Sequence, residues 1–116
     1  MCDLTIYHNP RCSKSRQTLE LIRSKGVEPE IVLYLEDAPS SGDIAYALRM
    51  LDMKPMDIIR KNEAEFKEHF AGADELTDEQ LIELMRLYPK VMQRPIVVNR
   101  GKAVIGRPPK KALGIL

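Results

Sequence analysis

One stretch near the start of the chain, His8-Asn9-Pro10-Arg11-Cys12-Ser13-Lys14-Ser15-Arg16, holds the residue types that nucleophilic chemistry at sulfur needs. An apolar run, Leu4 to Tyr7, precedes it, and a helix is expected from about Ser13 to Lys25, with Ser13 as its N-cap. Cys12 then falls at, or just before, a first helical turn. Free backbone N–H groups and the helix dipole there favour a negative charge on sulfur. Arg11, Lys14, Arg16 and His8 add positive charge with no acid beside them, and each favours the reactive thiolate over the thiol. A cysteine can also be only a small buried hydrophobe. That alternative asks for apolar neighbours, and these are basic and polar. His8 leaves two roles open. It can carry a proton and stabilise the thiolate, or it can close the loop through a hydrogen bond.

The same loop suits an oxyanion, since amides at a helix N-terminus bind phosphate-like groups. Arg60, Arg94 and Arg107 are candidates to complete such a site. Arg94 and Arg107 each precede a proline, Pro95 and Pro108, and flank an expected hairpin. The residue before proline is biased to extended backbone, which fixes the guanidinium forks that a tetrahedral anion accepts in pairs. Taken singly, each arginine fits a surface ion pair more readily.

Three residues after Cys12 stands Ser15, so there is no Cys-x-x-Cys. An oxidised Cys12 must therefore be resolved by an external thiol. Cys2 lies on the far side of the strand from Cys12, beyond disulfide reach, and is read as inert. Unpaired thiols fit a reducing compartment. Two Cys and two His without ligand spacing give no metal site, and His69 reads as ordinary surface. Neither a phosphate-binding loop nor a dinucleotide fingerprint is present, so no bound cofactor is expected.

These residues need a scaffold, and 116 residues with 44% hydrophobic and 30% charged side chains provide one domain, residues 1–116. Leu4 to Tyr7, the helix after it and Glu30 to Tyr34 form a βαβ unit with parallel strands. A helical insert over about residues 40–90 follows. Ser40 or Ser41 caps a helix running to Leu51, Pro55 opens a short helix over Met56 to Arg60, and Thr77-Asp78-Glu79-Gln80 is a capping box. Pro95 to Val98 and Ala103 to Ile105 then form a hairpin about Asn99-Arg100-Gly101-Lys102, and Arg107-Pro108-Pro109 starts a closing helix over Lys110 to Leu113. The fold class is α/β, a small mixed sheet flanked by helices with a helical insert between strands 2 and 3, compatible with a thioredoxin-like arrangement.

Charge is lopsided although the net is only +1. Through Glu83 there are seventeen acidic and ten basic residues; after it there are eight basic residues and no acid. The basic end reads as a solvated face, an anion site or a weak nucleic-acid patch. The small total charge and the 5% aromatic content argue against nucleic acid. With no signal-like start and no long apolar run, the chain is expected to be soluble and cytoplasmic. A monomer is expected.

Taken together, Tyr7-His8-Asn9-Pro10-Arg11-Cys12 with Ser15-Arg16, Leu33-Tyr34-Leu35-Glu36, Ile59-Arg60-Lys61-Asn62, Gln93-Arg94-Pro95-Ile96-Val97-Val98 and Gly106-Arg107-Pro108-Pro109 resemble the glutaredoxin-dependent arsenate reductase family. The resemblance spans nearly the whole chain, with five separated motifs in order. It implies a thioredoxin-like fold with a cis Arg94–Pro95 peptide facing the Cys12 loop. It implies Cys12 as nucleophile, His8 as the thiol-activating residue and Arg60, Arg94 and Arg107 as the oxyanion-binding set, with Ser15, Arg16 and Pro95 supporting the loop. It further implies reduction of arsenate to arsenite through a Cys12 adduct, with glutathione as reducing co-substrate and glutaredoxin as partner. Ser13-Lys14 stands where the best-known members carry Gly-Thr, and the end at Leu116 is similar to a short chromosomal subgroup. Two other readings share the fold: a glutathione-linked thiol redox enzyme with another substrate, and a regulator like the Spx-type proteins that contact RNA polymerase.

Overall fold

The computed structural model describes residues 4–116. The chain divides into two compact units. One comprises the chain up to Asp37 together with Arg94–Leu116; the other is Ala38–Gln93.

The first unit is built on a four-stranded mixed sheet. Its strands are β1 (Leu4–Tyr7), β2 (Glu30–Val32), β3 (Ile96–Asn99) and β4 (Lys102–Ile105), in the order β2-β1-β3-β4. β1 runs parallel to β2, with Tyr7 opposite Val32, and antiparallel to β3, with Tyr7 opposite Ile96. β3 and β4 form the expected hairpin. Its two central residues, Arg100 and Gly101, both have positive φ, 43° and 76°, as the tightest hairpin turn requires. β2 is shorter than the sequence suggests. From Leu33 the chain turns, and Glu36 and Asp37 both donate N–H to the Leu33 carbonyl. Tyr34 is nonetheless buried, at 1% exposure. Its β propensity reflected burial and not strand pairing.

Helix α1 (Ser13–Ser24) joins β1 to β2. It lies with a 3₁₀ stretch, Pro109–Ile115, which takes the place of the expected closing α-helix. Leu19 and Ile22 of α1 meet Leu4, Ile6 and Val97 of the sheet and Ala112 and Ile115 of the 3₁₀ stretch in one apolar core. Full burial of side chains of this size stabilises by about 1.5–3 kcal/mol each. Asn99 Nδ2 donates to the Ile115 carbonyl and ties the hairpin to that stretch. The peptides Arg94–Pro95 and Arg107–Pro108 are both cis. This is a thioredoxin-like sheet in a mixed α/β fold.

The second unit is helical. α2 (Ser41–Leu51) is capped by Ser40, whose Oγ accepts from Asp43 N–H. α4 (Asp78–Leu87) carries the expected capping box, with Thr77 N–H donating to Gln80 Oε1 and Gln80 N–H to Thr77 Oγ1. A short α3 (Ala64–His69) and 3₁₀ turns lie between them. The expected helix over Met56 to Arg60 is a 3₁₀ turn, Pro55–Ile58, that leaves Arg60 outside it. Asp57 closes this turn on the Lys54 N–H, and the extended Ile59 that follows bridges to Met92. Among the described residues no helix is long and apolar enough to cross a membrane.

Candidate active site

The loop after β1 is shaped by Asn9, which the sequence marked only as turn chemistry. Its Oδ1 accepts from Arg11 N–H at 3.0 Å, and its carbonyl accepts from Cys12 N–H at 3.0 Å. Such side-chain-closed turns are what Asn favours. Arg16 closes the loop from the helix side, with Nη1 donating to the Pro10 carbonyl at 2.9 Å. Cys12, and not Ser13, is the N-cap of α1; its carbonyl accepts the N–H of Arg16. The amides of Ser13, Lys14 and Ser15 therefore precede the first i→i−4 bond at the positive end of the helix. Cys12 is a free, half-buried thiol outside the apolar core. The expectation that Cys2 forms no disulfide concerns a residue outside those described.

His8 is buried, at 6% exposure. Its backbone N–H donates to the Val32 carbonyl, and its Nδ1 lies 2.6 Å from Ser15 Oγ. Ser15 Oγ also accepts from Asn9 N–H at 3.0 Å, which leaves the hydroxyl proton for His8 Nδ1. That assigns the remaining ring proton to Nε2. Burial, reinforced by the charges of Arg23 and Arg16, holds the imidazole below its ordinary 6.5. The bond to Ser15 is the loop-closing arrangement that the sequence left open beside thiolate stabilisation.

This geometry sets a pH response. Between the folded value and 6.5, the unfolded chain binds the His8 proton and the folded one does not. The His8 contribution is whole above 6.5 and is lost as pH falls through the folded value. Urea midpoints measured from pH 7.5 downward are expected to fall through this window, and more steeply than those of His8→Gln. Parallel profiles would refute the assignment.

Across the sheet, Arg107 Nη1 donates to the Arg94 carbonyl at 3.1 Å and lies 3.8 Å from Cys12 Sγ. Arg94 Nε is buried with no hydrogen-bond partner among the described residues. A buried charged donor without a partner is costly, and an oxyanion would satisfy it. Arg60 belongs to the helical unit. Its N–H donates to the Val91 carbonyl, and its Nη1 pairs with Glu63 at 2.9 Å. The unit carrying Cys12 has eleven basic and six acidic residues, whereas the helical unit has seven basic and eleven acidic. The charge asymmetry along the chain thus becomes a cationic unit around the thiol.

Two further residues fix the backbone just before Arg107. Thr18, fully buried on α1, has Oγ1 2.7 Å from the Lys14 carbonyl and 3.2 Å from the Gly106 carbonyl. Gly106 donates N–H to the Pro95 carbonyl at 2.9 Å. Neither was read as functional in the sequence. The available signal for Thr18 was a polar residue on the helix face shared by Ser15, Leu19 and Ile22, all of them buried. No group of His, Cys, Asp and Glu suited to a metal ion occurs among the described residues.

Residues 7–115 match the ArsC family. The chain is 40% identical over 116 residues to an arsenate reductase of Escherichia coli, covering 100% of this chain and 82% of that protein. It is 48% identical over 112 residues to the uncharacterized protein YfgD of Escherichia coli, covering 96% and 94%. The solved arsenate reductase from Vibrio cholerae superposes with a TM-score of 0.92 at 40% identity, covering 97% of each chain.

Proposed function

Since the chain belongs to the ArsC family, we propose that it is an arsenate reductase, an oxidoreductase that converts arsenate to arsenite through Cys12. The observation that carries this reading is Arg107 Nη1 at 3.8 Å from Cys12 Sγ, the same atom donating to the carbonyl of Arg94, whose buried Nε has no partner among the described residues. That arrangement supports a negative sulfur beside an anion site.

In the proposed cycle the Cys12 thiolate attacks As(V) and an arsenate oxygen leaves as water. The glutathione sulfur attacks the Cys12 sulfur of the adduct; the S–S bond forms as the S–As bond breaks, the electron pair of that bond stays on arsenic, and As(III) departs as arsenite. Glutaredoxin then takes the glutathione from the Cys12 mixed disulfide and restores the thiol. In total, arsenate and two thiols become arsenite, one disulfide and one water. Arg94 and Arg107 stabilise charge on the arsenic oxygens as it develops, and Arg60 joins them as the third oxyanion ligand. His8 acts on the thiol through Ser15 and the loop, with Arg16 and Pro95 as support. No cofactor is bound; glutathione is a co-substrate. The setting is cytoplasmic, the protein is a monomer, and the helical segment is an insertion within a single thioredoxin-like domain.

The test is arsenite formation with purified protein, arsenate, glutathione, glutaredoxin, glutathione reductase and NADPH. No arsenite across a wide arsenate range would sink the substrate assignment. Arg94→Ala is expected to raise the arsenate KM about 10- to 100-fold, the loss of a charged hydrogen bond of about 1.5–3 kcal/mol, with an unchanged circular dichroism spectrum. Full activity in that variant would remove Arg94 from the site.

A further inference from the structure

The sheet order places the cysteine between two different neighbourhoods. β1, which delivers Cys12, has β3 and β4 on one side and β2 on the other. Arg94 and Arg107 come from the ends of the β3–β4 hairpin, so these two oxyanion groups lie to one side of β1. On the β2 side a cavity of about 300 Å³ opens. The Cys12 loop contributes Asn9 and Arg11 to it, the turn after β2 contributes Leu33, Leu35 and Glu36, and His8 also lines it. Ligand sites commonly form outside the carboxyl ends of adjacent parallel strands, as β1 and β2 are here. Its volume is at the small end of the range for small-molecule sites, about 300–1,000 Å³.

The lining has a definite chemistry. Arg11 supplies a cation and Glu36 an anion, and Leu35, 41% exposed, is one of the large apolar side chains left open to solvent. The cavity adjoins the nucleophile's loop: Arg11, one of its lining residues, directly precedes Cys12, and the carbonyl of Asn9, another, accepts the Cys12 N–H at 3.0 Å. Cys12 is the free cysteine among the described residues, so an adduct on it must be met by a thiol from outside. A thiol entering from the arginine side would compete with the oxyanion. One entering from the β2 side would not.

We propose that this cavity is the docking site of the reducing thiol, and that it takes a small thiol bearing both a carboxylate and an ammonium group. The carboxylate pairs with Arg11, the ammonium with Glu36, and the aliphatic part rests on Leu33 and Leu35. The proposal rests on the reading that an external thiol resolves Cys12.

The test uses the full chain and S-methylglutathione, which keeps the charges of glutathione but cannot react at sulfur. Titration followed by amide chemical shifts is expected to show saturable binding, with the largest changes at Asn9 and Arg11 and over residues 33–36. Saturating sulfate should leave that binding unchanged. Glu36→Lys and Leu35→Asp alter exposed side chains, and each is expected to weaken it about tenfold. In turnover, Glu36→Lys should raise the glutathione KM by a similar factor and leave the arsenate KM as it was. Binding that sulfate displaces, or that Arg107→Ala abolishes while Glu36→Lys does not, would put the thiol on the arginine side and overturn the proposal. So would arsenate turnover without saturable binding of the probe. Probe binding with the expected variant pattern in a protein that forms no arsenite would keep this site and remove only the arsenate reading.

Discussion

Cys12→Ser is expected to lower arsenate reduction by at least about 10⁴-fold, with the fold and the anion site retained. The size of the effect follows from the chemistry of the atom replaced. A serine hydroxyl ionises far less readily than a thiol, and oxygen cannot give arsenic the electron pair that sulfur supplies in forming a disulfide. The substitution is nearly isosteric, and the contacts that shape the loop do not involve the sulfur. Asn9 still accepts the amide of residue 12, and Arg16 still closes on the Pro10 carbonyl. Arg107 keeps its bond to the Arg94 carbonyl. The variant should therefore bind sulfate or phosphate much as the parent does. Measured arsenite formation, calorimetric titration with sulfate and a thermal melt separate the two functions. Residual turnover near the parent rate would show that the nucleophile lies elsewhere.

Gly106→Ala should cost about 2–3 kcal/mol of stability, the upper part of the range for overpacking, and about 8–15 °C in Tm for a chain of this size. A Cβ at Gly106 would stand 2.6 Å from Thr18 Oγ1, 2.9 Å from Thr18 Cγ2 and 2.9 Å from Pro95 Cγ. Thr18 and Pro95 are themselves fully buried, so neither can swing aside. The backbone must move, and the residue that moves with it is Arg107. Activity should thus fall further than stability alone explains, through a higher arsenate KM. Thr18→Ala removes two of the three close contacts. The double variant Thr18→Ala/Gly106→Ala is expected to recover part of the stability lost by Gly106→Ala, which plain additivity forbids. If Gly106→Ala melts like the parent, the close approach does not exist.

Much of the fold was legible because its signals are local. Leu4–Tyr7 and the hairpin strands are short β-branched or aliphatic runs between turn residues. Thr77 and Gln80 satisfy each other's backbone within one helical turn. The elements read less well are those in which local and tertiary preferences diverge. Glu30 to Tyr34 has the composition of a strand throughout, yet pairing stops at Val32 and Tyr34 spends its β propensity on burial. The run after Pro109 has helical residues but winds as a 3₁₀ stretch. Ser13 is a good capping residue, yet Cys12 takes that position without any side-chain cap bond.

The amino-acid sequence by itself determined the strand–loop–helix frame, the cysteine at its turn and the surplus of cations around it. These depend on propensity, on capping and on neighbours a few residues apart. It also left His8 with two roles and each arginine with two. Tertiary structure supplied remote partners for His8 and Arg107, which neighbours in the chain could not. Ser15 Oγ takes one ring nitrogen of His8 across a loop, and Arg107 reaches Cys12 across 95 residues. Thr18 and Gly106 meet across 88. Hydrogen bonds and steric contacts act over about 3–4 Å, so which residues share them is settled only when the sheet has closed and the core has packed.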